Sequence, residues 1–297
     1  MSGGLLLLLA HPDDESFMIA GTAARLTDAG RRVALVCATR GQAGSAGQPP
    51  RCTRDELPAV RERELRAACA ILGIALHAVL DYEDRRLADA DDAAMRQTLV
   101  AAIRAERPQV VATFDPTGVT GHRDHQAICR FALDAVTAAA DPRWYSALGP
   151  AHAVRRVVWG TPVPPWEEWR PEALAGCPGV DYVVDVRGWA DRKRAALRAH
   201  ATQHQSVERY WFGERAESTE GGVFAYETFR HGWGVRPEPL DAGRPADDLF
   251  AGLEPAGSAG DGSARDGSAG DGSARDGSAR DGSARDGSAR QAAGRHG

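Results

Sequence analysis

Leu5-Leu6-Leu7-Leu8-Leu9-Ala10-His11-Pro12-Asp13-Asp14-Glu15 sets an uninterrupted apolar run directly against an imidazole and three carboxyls. A run of this length without alternation reads as a strand buried on both faces. The strand therefore ends on a cluster of charge. Burying carboxylates is costly unless something neutralises them, and a divalent cation held by imidazole and carboxylate is the usual agent. The segment predicts a sheet core with metal chemistry at the end of its first strand.

Outward from this segment, short apolar runs alternate with stretches of helical periodicity. Strands are predicted over Leu5 to Ala10, Val33 to Thr39, His77 to Asp81, Val110 to Phe114 and Arg156 to Gly160. Helices are predicted over Phe17 to Ala29, Leu57 to Leu72, Ala93 to Arg107, Asp124 to Ala139 and Trp189 to Gln205. Gly30, Gly73 and Pro108 supply ordinary stop signals. The Gly-, Pro- and Gln-rich stretch Arg40 to Arg54 reads as a loop. Alternation of this kind gives an α/β fold, a Rossmann-like three-layer sandwich around a mainly parallel sheet.

The chain has 297 residues, and from Gly257 the unit Asp-Gly-Ser-Ala-Arg (or Gly) recurs six times. No apolar residue larger than Ala is available there to offset ordering entropy, so residues 251–297 are expected to form a disordered tail behind a domain of residues 1–250. A calcium-binding β-roll needs Gly pairs and a large apolar residue in its repeat, which this one lacks. Six Asp balance six Arg in the tail, so the net charge of −5 belongs to the folded body and recruits no nucleic acid. The five cysteines are odd in number and have no CxxC spacing, which reads as reduced thiols in a cytoplasmic protein. Five leucines with no preceding Lys or Arg are neither a signal peptide nor a membrane span.

A second cluster, Gly121-His122-Arg123-Asp124-His125, follows the strand ending at Phe114 and opens a helix. Ligands of open α/β sheets collect at the carboxyl ends of strands, where the strand order reverses. If strands one and four adjoin there, the two clusters meet. Two imidazoles and a carboxylate would then hold one ion and leave positions open, as a catalytic zinc site requires. His11, Asp14 and His125 are the expected ligands, although spacing alone does not separate Asp13 from Asp14. Bland readings exist for each residue: a helix cap for either Asp, a solvated helix face for Arg61, a core position for His200. His122-x-Asp124 also suits the triad of a non-haem iron oxygenase, a chemistry commonly built on β-barrels.

The combination AHPDDE after a first strand with GH-x-DH near residue 122 resembles the LmbE/PIG-L family of zinc-dependent N-acetylglucosaminyl deacetylases. The likeness extends to Thr39-Arg40-Gly41-Gln42-Ala43-Gly44, to Arg61-x-x-Glu64-Leu65, and to Lys193-x-x-Ala196-Leu197-x-Ala199-His200-x-Thr202-Gln203. The resemblance implies that His11, Asp14 and His125 bind zinc, with iron a substitute that imidazole and carboxylate also suit. It implies Asp13 as general base, His122 as oxyanion stabiliser or proton donor, and Asp124 as the group tuning an adjacent histidine. It places Arg61 at a substrate-binding position, makes Glu64 a brace for the neighbouring loop, and leaves His200 a second candidate for substrate contact. Two departures stand out: Gln42 where many members have Glu, and Thr120 where some have tyrosine.

The expected function is removal of the N-acetyl group from an N-acetylglucosamine-containing small molecule. Amide cleavage of thiol conjugates and a metal-containing, non-enzymatic binding protein are the alternatives. The expected partner is the amino-sugar substrate, without nucleic acid or membrane insertion, and a homo-oligomer is compatible with the sequence. The aromatic segment Trp159 to Trp169 reads as packing over the sheet edge, with a sugar-stacking lip the alternative.

Overall fold

The computed structural model describes residues 3–161, 179–212, 224–237 and 244–253. Five parallel strands form in chain order: β1 (Gly4–Leu9), β2 (Val33–Thr39), β3 (Ala75–Tyr82), β4 (Pro108–Phe114) and β5 (Arg156–Gly160). Two more, β6 (Tyr182–Asp185) and β7 (Tyr226–Gly234), complete a sheet of order β3-β2-β1-β4-β5-β7-β6, with β7 antiparallel to both neighbours. The sequence reading did not draw either. β6 is short, and β7 interleaves Glu227, Thr228 and Arg230 with its apolar residues, so no apolar run marks it.

Leu5 to Leu9 are at most 1% exposed, as continuous apolar strands require when helices cover both faces. One layer is built by α2 (Ala20–Asp28), α3 (Leu57–Leu72) and α7 (Ala190–Ala199), and the other by α4 (Asp92–Glu106) and α6 (Arg123–Ala140), with the single turn α5 (Gly118–Gly121) leading into α6. The fold is thus the expected three-layer α/β sandwich. β1 pairs with β2 on one side and with β4 on the other, Leu5 opposite both Val33 and Val110. The strand order reverses between β1 and β4, and the crevice this opens lies at their carboxyl ends.

Where a single helix was expected from Phe17 to Ala29, the chain forms α1 (Asp14–Met18) and α2, broken at Ile19. The break exposes the first amides of α2, and Glu227 of β7 accepts from Gly21 N–H at 2.9 Å and Thr22 N–H at 2.8 Å. Lys193 of α7 completes the arrangement by donating Nζ–H to Glu227 at 2.7 Å. The helix expected from Trp189 to Gln205 likewise breaks at His200, followed by a short 3-10 turn over Ala201–Gln203.

On interior strand β5, fully buried Arg156 donates to the carbonyls of Val235, Leu249 and Ala251 and ties the last described segment to the sheet. Residues 40–56 form no helix or strand, as expected of the loop. Cys37, Cys52, Cys69 and Cys129 are free thiols. Among the described residues no helix is long and apolar enough to cross a membrane. Cys177, residues 162–169 of the aromatic segment and residues 254–297 of the repeat tail lie outside the described residues.

Candidate metal centre

Because β1 and β4 are neighbours, the segments that leave them converge. His125 Nε2 stands 3.3 Å from His11 Nδ1 and 3.4 Å from Asp14 Oδ1, and His11 Nδ1 stands 3.6 Å from Asp14 Oδ2. A tetrahedral ion with ligand bonds of about 2.0–2.1 Å has ligand–ligand edges of about 3.3–3.4 Å. The His11–His125 edge fits such a polyhedron, and Asp14 closes the triangle through two different oxygens, Oδ1 toward His125 and Oδ2 toward His11. Among the described residues, the groups whose ligand atoms all lie within 4.8 Å of one another are His11, His122 and His125, and His11, Asp84 and Asp124.

The remaining atoms of each donor are committed elsewhere, in the directions that metal ligation needs. His11 Nε2 faces Asp124 Oδ2 at 3.1 Å and Asp84 Oδ1 at 3.3 Å. Carboxylates only accept, so Nε2 carries the proton and Nδ1 presents its lone pair. His125 Nδ1 faces the Gly118 carbonyl at 3.2 Å, which by the same argument leaves Nε2 as the free donor atom. The ring is held flat against Phe114, centroids 3.7 Å apart. Asp14 Oδ2 accepts the amides of Ala10 at 3.1 Å and His11 at 2.7 Å.

The field at this face favours a cation. Burial opposes ionisation of Asp14, but His125 and His11 outweigh it and hold the carboxyl well below its ordinary range. Burial also opposes charge on His11, yet Asp124, Asp14 and Asp84 together raise its pKa well above the usual imidazole value.

Two further expected site groups stand beside these residues, and one of them, His122, has a ligand atom within 4.8 Å of those of His11 and His125. His122 caps α6 by accepting the Asp124 amide on Nδ1 at 3.2 Å, so its proton resides on Nε2. Its ring lies 4.8 Å from that of His11 and 4.7 Å from that of His125, and burial followed by these two imidazoles lowers its pKa. Asp13 precedes α1 with φ 118° and ψ −24°, a conformation that residues with a Cβ seldom adopt. Burial, opposed by Arg61 and aided by Asp14, pushes its pKa up to about 6.

Asp124, expected to tune an adjacent histidine, faces His11, is fully buried, and also accepts the amides of Arg85 and Leu87. It orients a donor and does not face the crevice. Two other residues occupy places other than those anticipated. Arg61, anticipated at a substrate, is 3% exposed and spends its guanidinium on the Pro12 carbonyl, Gly41 O at 2.9 Å and Asp13 Oδ2 at 2.9 Å. Gly41 has φ 64°, and a Cβ there would overlap that guanidinium, which explains the Thr39-to-Gly44 motif. His200 is wholly buried against Glu15 Oε1 at 2.8 Å. Glu64 is a brace, as expected, and accepts both the amide and the hydroxyl of Thr202.

Asp84 was missed, and so was any role for Glu15. Asp84 sits just beyond β3 with Oδ2 on the Ala43 amide at 3.0 Å. The one sequence signal for it was an acidic residue at the carboxyl end of a third strand. Gln42 donates Nε2–H to Tyr82 O, and Thr120 is exposed.

Comparison with known proteins agrees with this geometry. Residues 6–136, which contain both clusters, match the family described as PIG-L: GlcNAc-PI de-N-acetylase. A 1D-myo-inositol 2-acetamido-2-deoxy-alpha-D-glucopyranoside deacetylase of Streptomyces avermitilis is 34% identical over 296 residues, covering 84% of this chain and 97% of its own. Among solved structures, a conserved protein of Thermus thermophilus superposes with a TM-score of 0.60 at 27% identity, over 80% of this chain and 99% of its own. The N,N'-diacetylchitobiose deacetylase of Pyrococcus horikoshii shares the fold, with a TM-score of 0.63 at 23% identity over 78% of this chain and 84% of its own. With both clusters inside the matched segment and a relative aligned over nearly its whole length, the chain belongs to the LmbE/PIG-L family.

Proposed function

We propose that this chain is a metal-dependent hydrolase that removes the N-acetyl group from a small molecule containing N-acetylglucosamine. The carrying observation is the triangle of His11 Nδ1, Asp14 and His125 Nε2, with Asp13 and His122 left uncoordinated beside it. His11, Asp14 and His125 would hold the ion, zinc by preference and iron as the alternative that the same donors suit. When bound, such an ion supplies a Lewis acid that polarises an acyl oxygen and makes water a better nucleophile near neutral pH.

The chain's own groups supply the proton transfers. Asp13, with its pKa raised to about 6, is poised as a general base and takes a proton from the attacking water. Water oxygen bonds to the acetamide carbon, and His122, as a neutral imidazole, offers its Nε2–H to the oxygen on which charge develops. The C–N bond then breaks, the proton held on Asp13 passes to the departing nitrogen, and acetate and the free amine leave. Arg61 fixes one oxygen of Asp13 throughout.

The test is acetate release by zinc-loaded protein from a panel of N-acetylglucosaminyl compounds and thiol conjugates, beside Asp13→Asn with metal content measured. The wild type should turn over an N-acetylglucosaminyl compound, and the metal-replete variant should lose roughly 10²–10⁴-fold in rate. Cleavage of thiol conjugates alone would move the assignment to an amidase. Equal rates for the two proteins would remove Asp13 from its role. Stoichiometric zinc with no turnover across the panel would favour a binding protein.

A further inference from the structure

One buried network is left unused by this chemistry. The Glu15 carboxylate, wholly buried, accepts the Asp13 amide on Oε2 at 3.1 Å. On Oε1 it accepts the Ser16 hydroxyl at 2.6 Å and faces His200 Nε2 at 2.8 Å, so that nitrogen carries a proton. His200 stands at the end of α7, 185 residues along the chain from its partner. The turn that follows is fixed to the body twice. Thr202 binds Glu64 on α3 at 2.8 and 2.6 Å, and Gln203 donates to Ser45 O at 2.8 Å.

The Asp13 backbone is what this network restrains. At φ 118° the residue sits where a Cβ is disfavoured, and relaxation toward an ordinary conformation would turn both its amide and its carboxylate. The amide is held by Glu15 and the carboxylate by Arg61. Glu15 is in turn held by a histidine from outside the sheet. We propose that Glu15 and His200 are positioning residues, a buried relay anchored at the end of α7 that keeps Asp13 in its strained conformation and so fixes where its carboxylate stands. The consequence for rate rests on the deacetylase reading, whereas the geometric claim does not.

The test compares His200→Leu, which removes the donor, with His200→Gln, whose amide nitrogen reaches the place of Nε2, both zinc-loaded. His200→Leu should lower kcat roughly 10- to 100-fold with KM within about twofold and bound zinc unchanged. His200→Gln should recover most of that rate. Exchange of the Asp13 amide with deuterium should quicken roughly tenfold in His200→Leu and stay near wild type in His200→Gln. Glu15→Gln, nearly isosteric, should also quicken it, because one amide oxygen cannot serve both Asp13 and His200, and it replaces His200→Leu if that variant does not fold. A rise in KM at constant kcat would make His200 a substrate contact, and unchanged exchange in both His200→Leu and Glu15→Gln would overturn the relay. The exchange measurement needs no substrate, so it decides the relay even if no deacetylase activity is found.

Discussion

Replacing the two carboxylates behind His11, singly and together, should weaken zinc binding in a way that depends on their sharing one proton. The His11 Nε2–H lies 3.1 Å from Asp124 and 3.3 Å from Asp84. A hydrogen bond to a charged group contributes about 1.5–3 kcal/mol, and a neutral acceptor keeps about half of that. Asp124→Asn can retain an oxygen toward His11 and the Arg85 amide but then sets its NH2 against the Leu87 N–H, and Asp84 remains to receive the proton. About 1.4 kcal/mol corresponds to tenfold in affinity, and because the other carboxylate still receives the proton each single variant should weaken zinc by only about threefold. In the Asp84→Asn/Asp124→Asn protein no carboxylate faces Nε2, and the loss should reach about 100-fold and exceed the product of the singles. Zinc titration against a chromophoric chelator, with circular dichroism to confirm folding, measures all four proteins. A folded double variant that binds zinc as tightly as wild type would refute the argument that these groups orient the ligand.

Two further outcomes test the scaffold. Lys193→Met leaves Glu227 buried with only the amides of Gly21 and Thr22, and it should destabilise the protein by about 3–5 kcal/mol, read from urea unfolding; a change below about 1 kcal/mol would show that the first turn of α2 compensates the charge alone. His152 donates to the Pro108 carbonyl at 2.7 Å, and burial, only partly opposed by that bond, lowers its pKa below 6.5. A histidine whose folded pKa is depressed contributes stability above its unfolded pKa and loses it as pH falls through about 6.5 toward the folded value. Wild type should therefore lose more Tm than His152→Gln between about pH 7 and pH 5, and parallel curves would contradict the assignment.

The parts of the fold legible in the sequence are those whose burial is two-sided. β1, β2, β4 and β5 each carry a short apolar run, so their positions were readable and the meeting of the two clusters followed once β1 adjoined β4. β7 was hidden because its polar residues serve the tertiary structure: Glu227 is a remote cap for α2. The break at Ile19 was hidden for the same reason, since its amides are satisfied 206 and 205 residues away. Of the candidate site residues, the motifs placed His11, Asp13, Asp14, His122 and His125 together, and the structure brings them together. Residue type alone could not tell a group facing the crevice from one facing another side chain, and this is where Arg61 and His200 differ from the expectation of substrate contact.

That distinction rests on which atoms are already engaged. His11 and His125 each have one ring nitrogen turned to an acceptor and the other toward Asp14. His122 has given its lone pair to an amide and keeps an N–H. Arg61, Asp124, Glu15 and His200 are buried and make their hydrogen bonds to protein groups, with Arg61 Nε and His200 Nδ1 left without a partner among the described residues, so their influence on a reaction should pass through His11 or Asp13. A buried group of this second kind should affect affinity for metal or the rate constant without altering which substrate is accepted, because it never meets the substrate. Substrate choice should instead depend on the exposed rim of the crevice, where Thr120 precedes His122. Substitution of exposed Thr120 should therefore shift the relative rates on different acyl substrates more than it shifts bound metal, and equal changes across a substrate panel would contradict this division.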